Sequence, residues 1–421
     1  MRIAIANTYR NRVGGVEAYL DALLPALAHA GHQIAFWHEL VSADHDQITL
    51  PPGTRSWSAA QAGLDGSLDA MREWRPEIVF VNGLSIPNLE RRLADRGPAV
   101  RFAHAYAGTC ISGNKMFARP RARPCDRRFG PRCILHFYPH RCGGLDPLQM
   151  GRLYLGERER LAAFGSYSAI VTASNHMRTE YLKHGLERVS VVGLPIQSAI
   201  EPARHVDVEA AGARGFQIPR ARDARAEIGA IRLLFAGRMT PLKGGDMMID
   251  ALPIVQRALG RKVEAVFAGD GPARAVWEAR ARRVTAHDHR ISIEFTGWLE
   301  RAALDSLMAD ADLLVVPSLW PEPFGLVGLE AGLNRLPAVA FAVGGIPEWL
   351  GDGCNGRLAN ANPPAAAGLA DAIAACVRDP GTLERMREGA RAVAENHTMR
   401  SHLAALLEVF RDAIARAHRD G

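Results

Sequence analysis

"DLLVVPSLWPEPFGLVGLEAG", residues 312–332, reads as a complete strand, turn and helix. Four consecutive apolar residues, Leu313 to Val316, stop at Pro317, the pattern of a short strand buried on both faces. The turn that follows is punctuated by Pro321, Pro323 and Gly325. Pro323 biases Glu322 away from the α region, so the helix is expected to begin near Phe324. Two carboxylates then bracket the turn and helix. Glu330 lies about six residues along, roughly 9 Å down the axis at the usual rise. As surface acids each would be worth only a few tenths of a kcal/mol against the helix dipole.

Outward from this unit the same alternation recurs. "RIAIAN", "HQIAFWHE", "EIVFVNG", "AVRFAHA" and "AIVTAS" form one set of apolar runs; "IRLLFAG", "KVEAVFAG", "ISIEFTG", "DLLVVPS" and "PAVAFAV" form a second, and helical patterns lie between them. That alternation predicts an α/β protein with parallel sheets covered by helices on both faces. An aperiodic stretch rich in Ala, Arg, Gly and Pro separates the sets. The expected organisation is a doubly wound, Rossmann-like domain over 1–192, a linker over 193–227, and a second such domain over 228–395. A C-terminal stretch, 396–421, carries Leu403, Leu406, Leu407 and Phe410 at helical spacing, suited to packing back on the first domain. Ligands are expected at strand C-terminal ends, in a cleft between the domains.

At 421 residues the chain exceeds one ordinary core, and its 48% hydrophobic content is that of a globular enzyme. No apolar run reaches the roughly 18 residues of a membrane span, and "MRIAIANTYRNR" turns polar too soon for a signal peptide, so a cytoplasmic protein is expected. The net charge of +6 comes mostly from Arg and favours an anionic substrate or membrane surface. Nucleic acid is not expected, because no finger, RNP-like or basic-zipper pattern accompanies the charge.

The candidate site residues follow from this frame. A helix start at Phe324, Gly325 and Leu326 offers unpaired amides to a polar or anionic group. "GRMTPLKGG" supplies Arg238 and Lys243 between a strand and a helix, where an open α/β sheet binds phosphate. Gly14 and Gly15, in "GGVEAYL", let backbone approach a bulky anion or simply mark a tight turn. No G-x-G-x-x-G follows the first strand, which argues against a nicotinamide cofactor. A nucleotide sugar has the elongated shape that Glu322 and Glu330 would span.

On these residues the chain resembles the family-4 retaining glycosyltransferases, whose GT-B fold sets two Rossmann-like domains face to face. The E-x7-E signature matches Glu322 and Glu330, and "GGVEAYL", "FAGRMTPLKGGDMMIDAL", "FAGDGP", "FTGW" and "FAVGGIPEWL" follow in the family's order. The resemblance implies that Glu322 binds donor-sugar hydroxyls, that Phe324, Gly325 and Leu326 hold the donor through main-chain amides, and that Glu330 hydrogen-bonds the ribose. It further implies that Arg238 and Lys243 hold the diphosphate and that His104 contacts the reacting sugar. The family's His is commonly followed by Asp; here Ala105 takes that place. "FTGW" and "FAGDGP" are expected to line the base pocket. The "DAD" at 310–312 reads as helix-end chemistry, and no catalytic metal or other catalytic cofactor is expected.

Four of the six cysteines fall between Cys110 and Cys142. Structural zinc on Cys110, Cys125, Cys133 and Cys142 is one reading, with His136 and His140 as substitute ligands; unligated or disulfide-forming thiols are the other. Arg119, Arg121, Arg123, Arg127, Arg128 and Arg132 interleave there with Phe117, Phe129 and Phe137, which suits either contact with anionic lipid or a solvated loop. The expected function is transfer of a hexose from a nucleotide-diphosphate sugar to a glycan or lipid-linked acceptor in envelope or exopolysaccharide assembly. Glycosylation of a small metabolite or sugar phosphate, and a noncatalytic glycan- or nucleotide-binding role in an envelope complex, are the alternatives.

Overall fold

The computed structural model describes residues 1–41, 46–95, 97–120, 122–196 and 229–420. From residue 197 on, the expected linker lies outside the described residues, as does Arg121. Two compact units are present: Met1–Arg119, Cys125–Gln197 and Thr398–Gly421 form the first, and Pro120–Pro124 with Ser198–His397 the second.

The first unit is built on a seven-stranded parallel sheet. Its strands are β1 (Arg2–Tyr9), β2 (Gln33–Leu40), β3 (Arg55–Ser58), β4 (Ile78–Val81) and β5 (Ala99–Ala103). Two-residue strands β6 (Met116–Phe117) and β7 (Arg123–Pro124) precede β8 (Ala169–Thr172) and β9 (Val189–Val191). The sheet order is β3-β2-β1-β4-β5-β8-β9. β4, β5 and β8 are buried along their whole length, because helices cover both faces of a parallel sheet.

The second unit repeats the design with β10 (Ile231–Ala236), β11 (Val263–Ala268), β12 (Ile291–Gly297), β13 (Leu313–Val316), β14 (Ala338–Phe341) and β15 (Gly356–Ala359). Its order, β12-β11-β10-β13-β14-β15, reverses direction between β10 and β13. The first sheet reverses between β1 and β4. At such a reversal the loops leaving two neighbouring strands diverge to opposite faces and open a crevice at their carboxyl ends.

The C-terminal helix, Met399–Asp420, belongs to the first unit. Leu406, Phe410 and Ala413 on its inner face are fully buried, and Phe410 meets the Phe80 ring edge-on at 5.1 Å. Near its start, His402 Nδ1–H donates to the Gly193 carbonyl at 2.7 Å. Its Nε2 is then an acceptor, and the Tyr19 hydroxyl donates to it at 2.9 Å. Among the described residues no helix is long and apolar enough to cross a membrane.

Candidate functional site

The reversal point of the second sheet brings two loops together. β10 runs into Gly237–Thr240, a 3-10 turn Pro241–Lys243 and the helix Gly245–Leu259; β13 runs into 317–325 and the helix Leu326–Leu333. The loops are stitched main chain to main chain, since the Leu319 and Trp320 amides both donate to the Leu242 carbonyl at 2.9 and 3.2 Å. That approach needs Gly244, held at φ +63, because a Cβ there would sit 2.0 Å from the Pro317 carbonyl oxygen.

Across this seam Lys243 Nζ contacts Glu322 Oε1 at 2.6 Å. The Ser318 hydroxyl donates to the same oxygen at 2.7 Å. The Lys243 ammonium also lies 5.6 Å from the centre of the Trp320 ring. Glu322 is 5% exposed, and the Lys243 and Ser318 contacts offset the cost of burying its carboxylate. Its main chain is fixed as firmly as its side chain: the Gly345 amide donates to the Glu322 carbonyl at 2.7 Å. Gly344, at φ +59, packs so closely that a Cβ would fall 2.2 Å from that carbonyl oxygen. Arg238, by contrast, is exposed and makes no side-chain hydrogen bond or ion pair among the described residues.

The helix expected near Phe324 begins two residues later, at Leu326, with Gly325 as its N-cap in the left-handed region at φ +93. Phe324 is instead buried, its carbonyl accepting from the Trp349 indole at 2.7 Å. At the start of the Leu326–Leu333 helix the Gly328 amide already reaches the Gly325 carbonyl at 3.3 Å, and the amides before it have no carbonyl one turn back within the helix to accept from them. Glu330, in its second turn, is paired with Arg301 at 3.1 Å, and Arg301 is in turn held by Asp305. The loops after β11 and β12 join this edge: the Gly269 amide donates to the Gly297 carbonyl, and Met239 to Asp270. Trp298 beside them is 72% exposed. Asp310 and Asp312 lie at the amino ends of the central strands β10 and β13, bonded to Arg232 and, for Asp312, also to Arg387.

In the first unit, His104 follows β5 and its Nε2 lies 2.9 Å from Asn82 Oδ1, so in the neutral ring Nδ1 is left as an acceptor. The ring stacks on Phe102 at 4.3 Å. Burial, the nearby Arg101 guanidinium and His402 push its pKa down to about 3. Arg101 is itself buried, donating to the carbonyls of Val81, Asn82 and Phe102 and pairing with Glu90. Gly14 and Gly15 are exposed at the start of the helix Gly15–His29, Gly14 in extended backbone open to any residue. A Cβ on Gly15 would meet nothing within 4 Å.

In the cysteine-rich segment all four thiols are free. The Lys115 amide donates to Cys110 Sγ at 3.2 Å and the Lys115 carbonyl accepts from the Cys125 amide. Burial, then the nearby thiols of Cys110, Cys125 and Cys133, push Cys142 up to about 12. Among the described residues no three His, Cys, Asp or Glu side chains form a ready-made metal site. His136 and His140 stack on each other at 5.3 Å, and His136 also contacts Arg127. The three phenylalanines are not surface groups: Phe117, Phe129 and Phe137 are buried, the latter two forming a small core with Ile111. The exposed large apolar side chains there are Ile134 and four leucines, which a hydrophobic count along the sequence does not separate from core.

Sequence reasoning missed four residues that shape the site. Ser318 sat unremarked inside the opening stretch, Gly344 and Trp349 inside a quoted "FAVGGIPEWL", and Arg301 carried no local signal. Gly344, Trp349 and Arg301 act through contacts with residues distant in sequence, whereas Ser318 reaches Glu322 four residues on.

Comparison with known proteins fits this geometry. The family model for glycosyl transferases group 1 matches residues 221–393. A glycogen synthase of Mycobacterium tuberculosis is 31% identical over 411 residues, covering 90% of this chain and 86% of that one. A D-inositol 3-phosphate glycosyltransferase of Xylanimonas cellulosilytica is 34% identical over 184 residues, 44% of this chain; the match spans 43%, less than half, of that relative's length. Among solved structures, Anabaena Alr3699/HepE in complex with UDP and glucose superposes with a TM-score of 0.61 at 19% identity, covering 97% of this chain and 98% of that one. The fold is GT-B, and the chain belongs to the glycosyl transferases group 1 family.

Proposed function

We propose that the protein is a retaining glycosyltransferase that moves a hexose from a nucleotide-diphosphate sugar to a glycan or lipid-linked acceptor in envelope or exopolysaccharide assembly. The observation that carries this reading is the fixed Lys243–Glu322 pair at the reversal point of the second sheet, with exposed Arg238 in the same loop as Lys243. Glu322 then accepts donor-sugar hydroxyls, and Lys243 and Arg238 hold the diphosphate. The amides of Phe324, Gly325 and Leu326 and the backbone at Gly14 and Gly15 line the donor, Glu330 reaches the ribose, and His104 Nδ1 accepts from the sugar.

Chemistry in this reading is front-face displacement. The acceptor oxygen bonds to the anomeric carbon as the bond to the leaving phosphate breaks, and the departing phosphate oxygen takes the acceptor's proton. Cations fixed on the leaving diphosphate stabilise the charge that develops there. Cys110, Cys125, Cys133 and Cys142 would hold a structural zinc, and the enzyme would work in the cytoplasm. The inositol phosphate acceptor in a relative's name supports a second reading, a small phosphorylated polyol as acceptor. Thermal-shift screening of UDP, GDP and ADP sugars, followed by mass detection of hexose on extracted lipids, oligosaccharides and polyol phosphates, tests both. The leading reading predicts transfer to lipids or oligosaccharides with anomeric retention; transfer to polyol phosphates alone selects the second, and no transfer from any donor overturns both.

A further inference from the structure

Five of the twelve large apolar residues exposed among the described residues crowd between Ile134 and Leu155. Leu135 and Leu148 are 73% exposed, Leu155 61% and Leu145 60%. On the helix Pro147–Phe164, Leu148 and Leu155 stand seven residues apart and so share one face. Met150, Leu153, Tyr154 and Leu161 occupy the other face and pack on the core of Ile111, Phe129 and Phe137. The segment thus fills its own interior without the outer leucines.

The same stretch is strongly basic. Residues 115–152 hold nine Lys and Arg against two acids, a net +7 where the whole chain carries +6. Arg127, Arg128, Arg132, Arg141 and Arg152 are all exposed. A protein interface would concentrate aromatic residues at its centre. Here the aromatics turn inward, and exposed leucines interleaved with one sign of charge are what an anionic bilayer surface takes up.

We propose that the outer face of residues 127–155 is a docking surface for anionic lipid, with Leu135, Leu145, Leu148 and Leu155 entering the headgroup boundary and the arginines pairing with lipid phosphates. The surface shares no residue with the donor loops of the second unit, so docking is measurable whether or not transferase activity is found. Sedimentation of the full chain with phosphatidylcholine vesicles, with and without phosphatidylglycerol, is the test. Partition onto the anionic vesicles should be at least about tenfold higher and should fall with added salt. Leu148→Ser with Leu155→Ser should lower it about tenfold while the melting temperature holds, because neither leucine belongs to the core. Arg127→Glu with Arg128→Glu should weaken it independently. Equal partition onto both vesicle types, or undiminished binding by the leucine variant, overturns the proposal. So does a wild-type dimer that ignores vesicles and that the leucine variant turns into monomer, which would make the face a contact between copies.

Discussion

Lys243 serves a buried carboxylate and, in the proposed reaction, a leaving diphosphate with one ammonium, whereas Arg238 serves only the second. The two cations should therefore fail differently. Arg238→Ala is expected to lower kcat about 10²-fold with an unchanged melting temperature. Lys243→Ala should lower kcat similarly and also cost about 1–3 kcal/mol of stability, because Glu322 keeps its burial and loses its counter-charge. Pairing Lys243→Ala with Glu322→Gln should restore the melting temperature without restoring turnover; thermal denaturation and steady-state kinetics on the four proteins complete the cycle. Gly344→Ala should cost at least about 2 kcal/mol and abolish donor titration, since positive φ and the Glu322 carbonyl both oppose a Cβ. The position of Glu322, Lys243 and Arg238 in loops just after strands was legible because a Pro- and Gly-marked turn after an apolar run announces a strand end. Arg301 was not, because its tie to Glu330 spans 29 residues and leaves no local period.

Elements were readable in proportion to their burial. Ten apolar runs announced ten strands of the two sheets, but Arg55–Ser58, Val189–Val191 and Gly356–Ala359, all outermost strands, were not anticipated. Each is three or four residues long with only partial burial, too little for an apolar run to register. The cysteine-rich segment erred oppositely: its phenylalanines, expected at the surface, are buried, Phe129 and Phe137 in its small core. Structural zinc there predicts about one equivalent of metal in protein purified without an affinity tag, falling when Cys125 or Cys133 becomes Ser. Metal-free protein with four titratable thiols and full activity would remove that assignment.

For the whole molecule, the organisation in two doubly wound units followed from the spacing of apolar runs, while the acid sensitivity of the first unit did not. His38 and His402 are held down to about 4 and His104 to about 3, burial being the first cause in each. Unfolded, these rings titrate near 6.5, so below that pH the unfolded chain binds more protons and stability falls until the folded values are reached. Each ring contributes about 1.5 kcal/mol of that loss between pH 6.5 and 5. Melting temperature should therefore drop steeply across that interval. Tyr19→Phe should flatten nothing in this profile yet lower stability by about 1 kcal/mol, through loss of the bond to His402.

The bond from His402 to Gly193 joins the place where the chain leaves the first unit to the place where it re-enters. In order of synthesis, the second unit is complete before the last helix of the first exists. The second unit can thus reach its native form while its host still lacks the Tyr19–His402 and Phe80–Phe410 contacts. A chain truncated just before Met399 should give protease-resistant fragments of the second unit only, and the full chain, with its final helix, should protect the first as well.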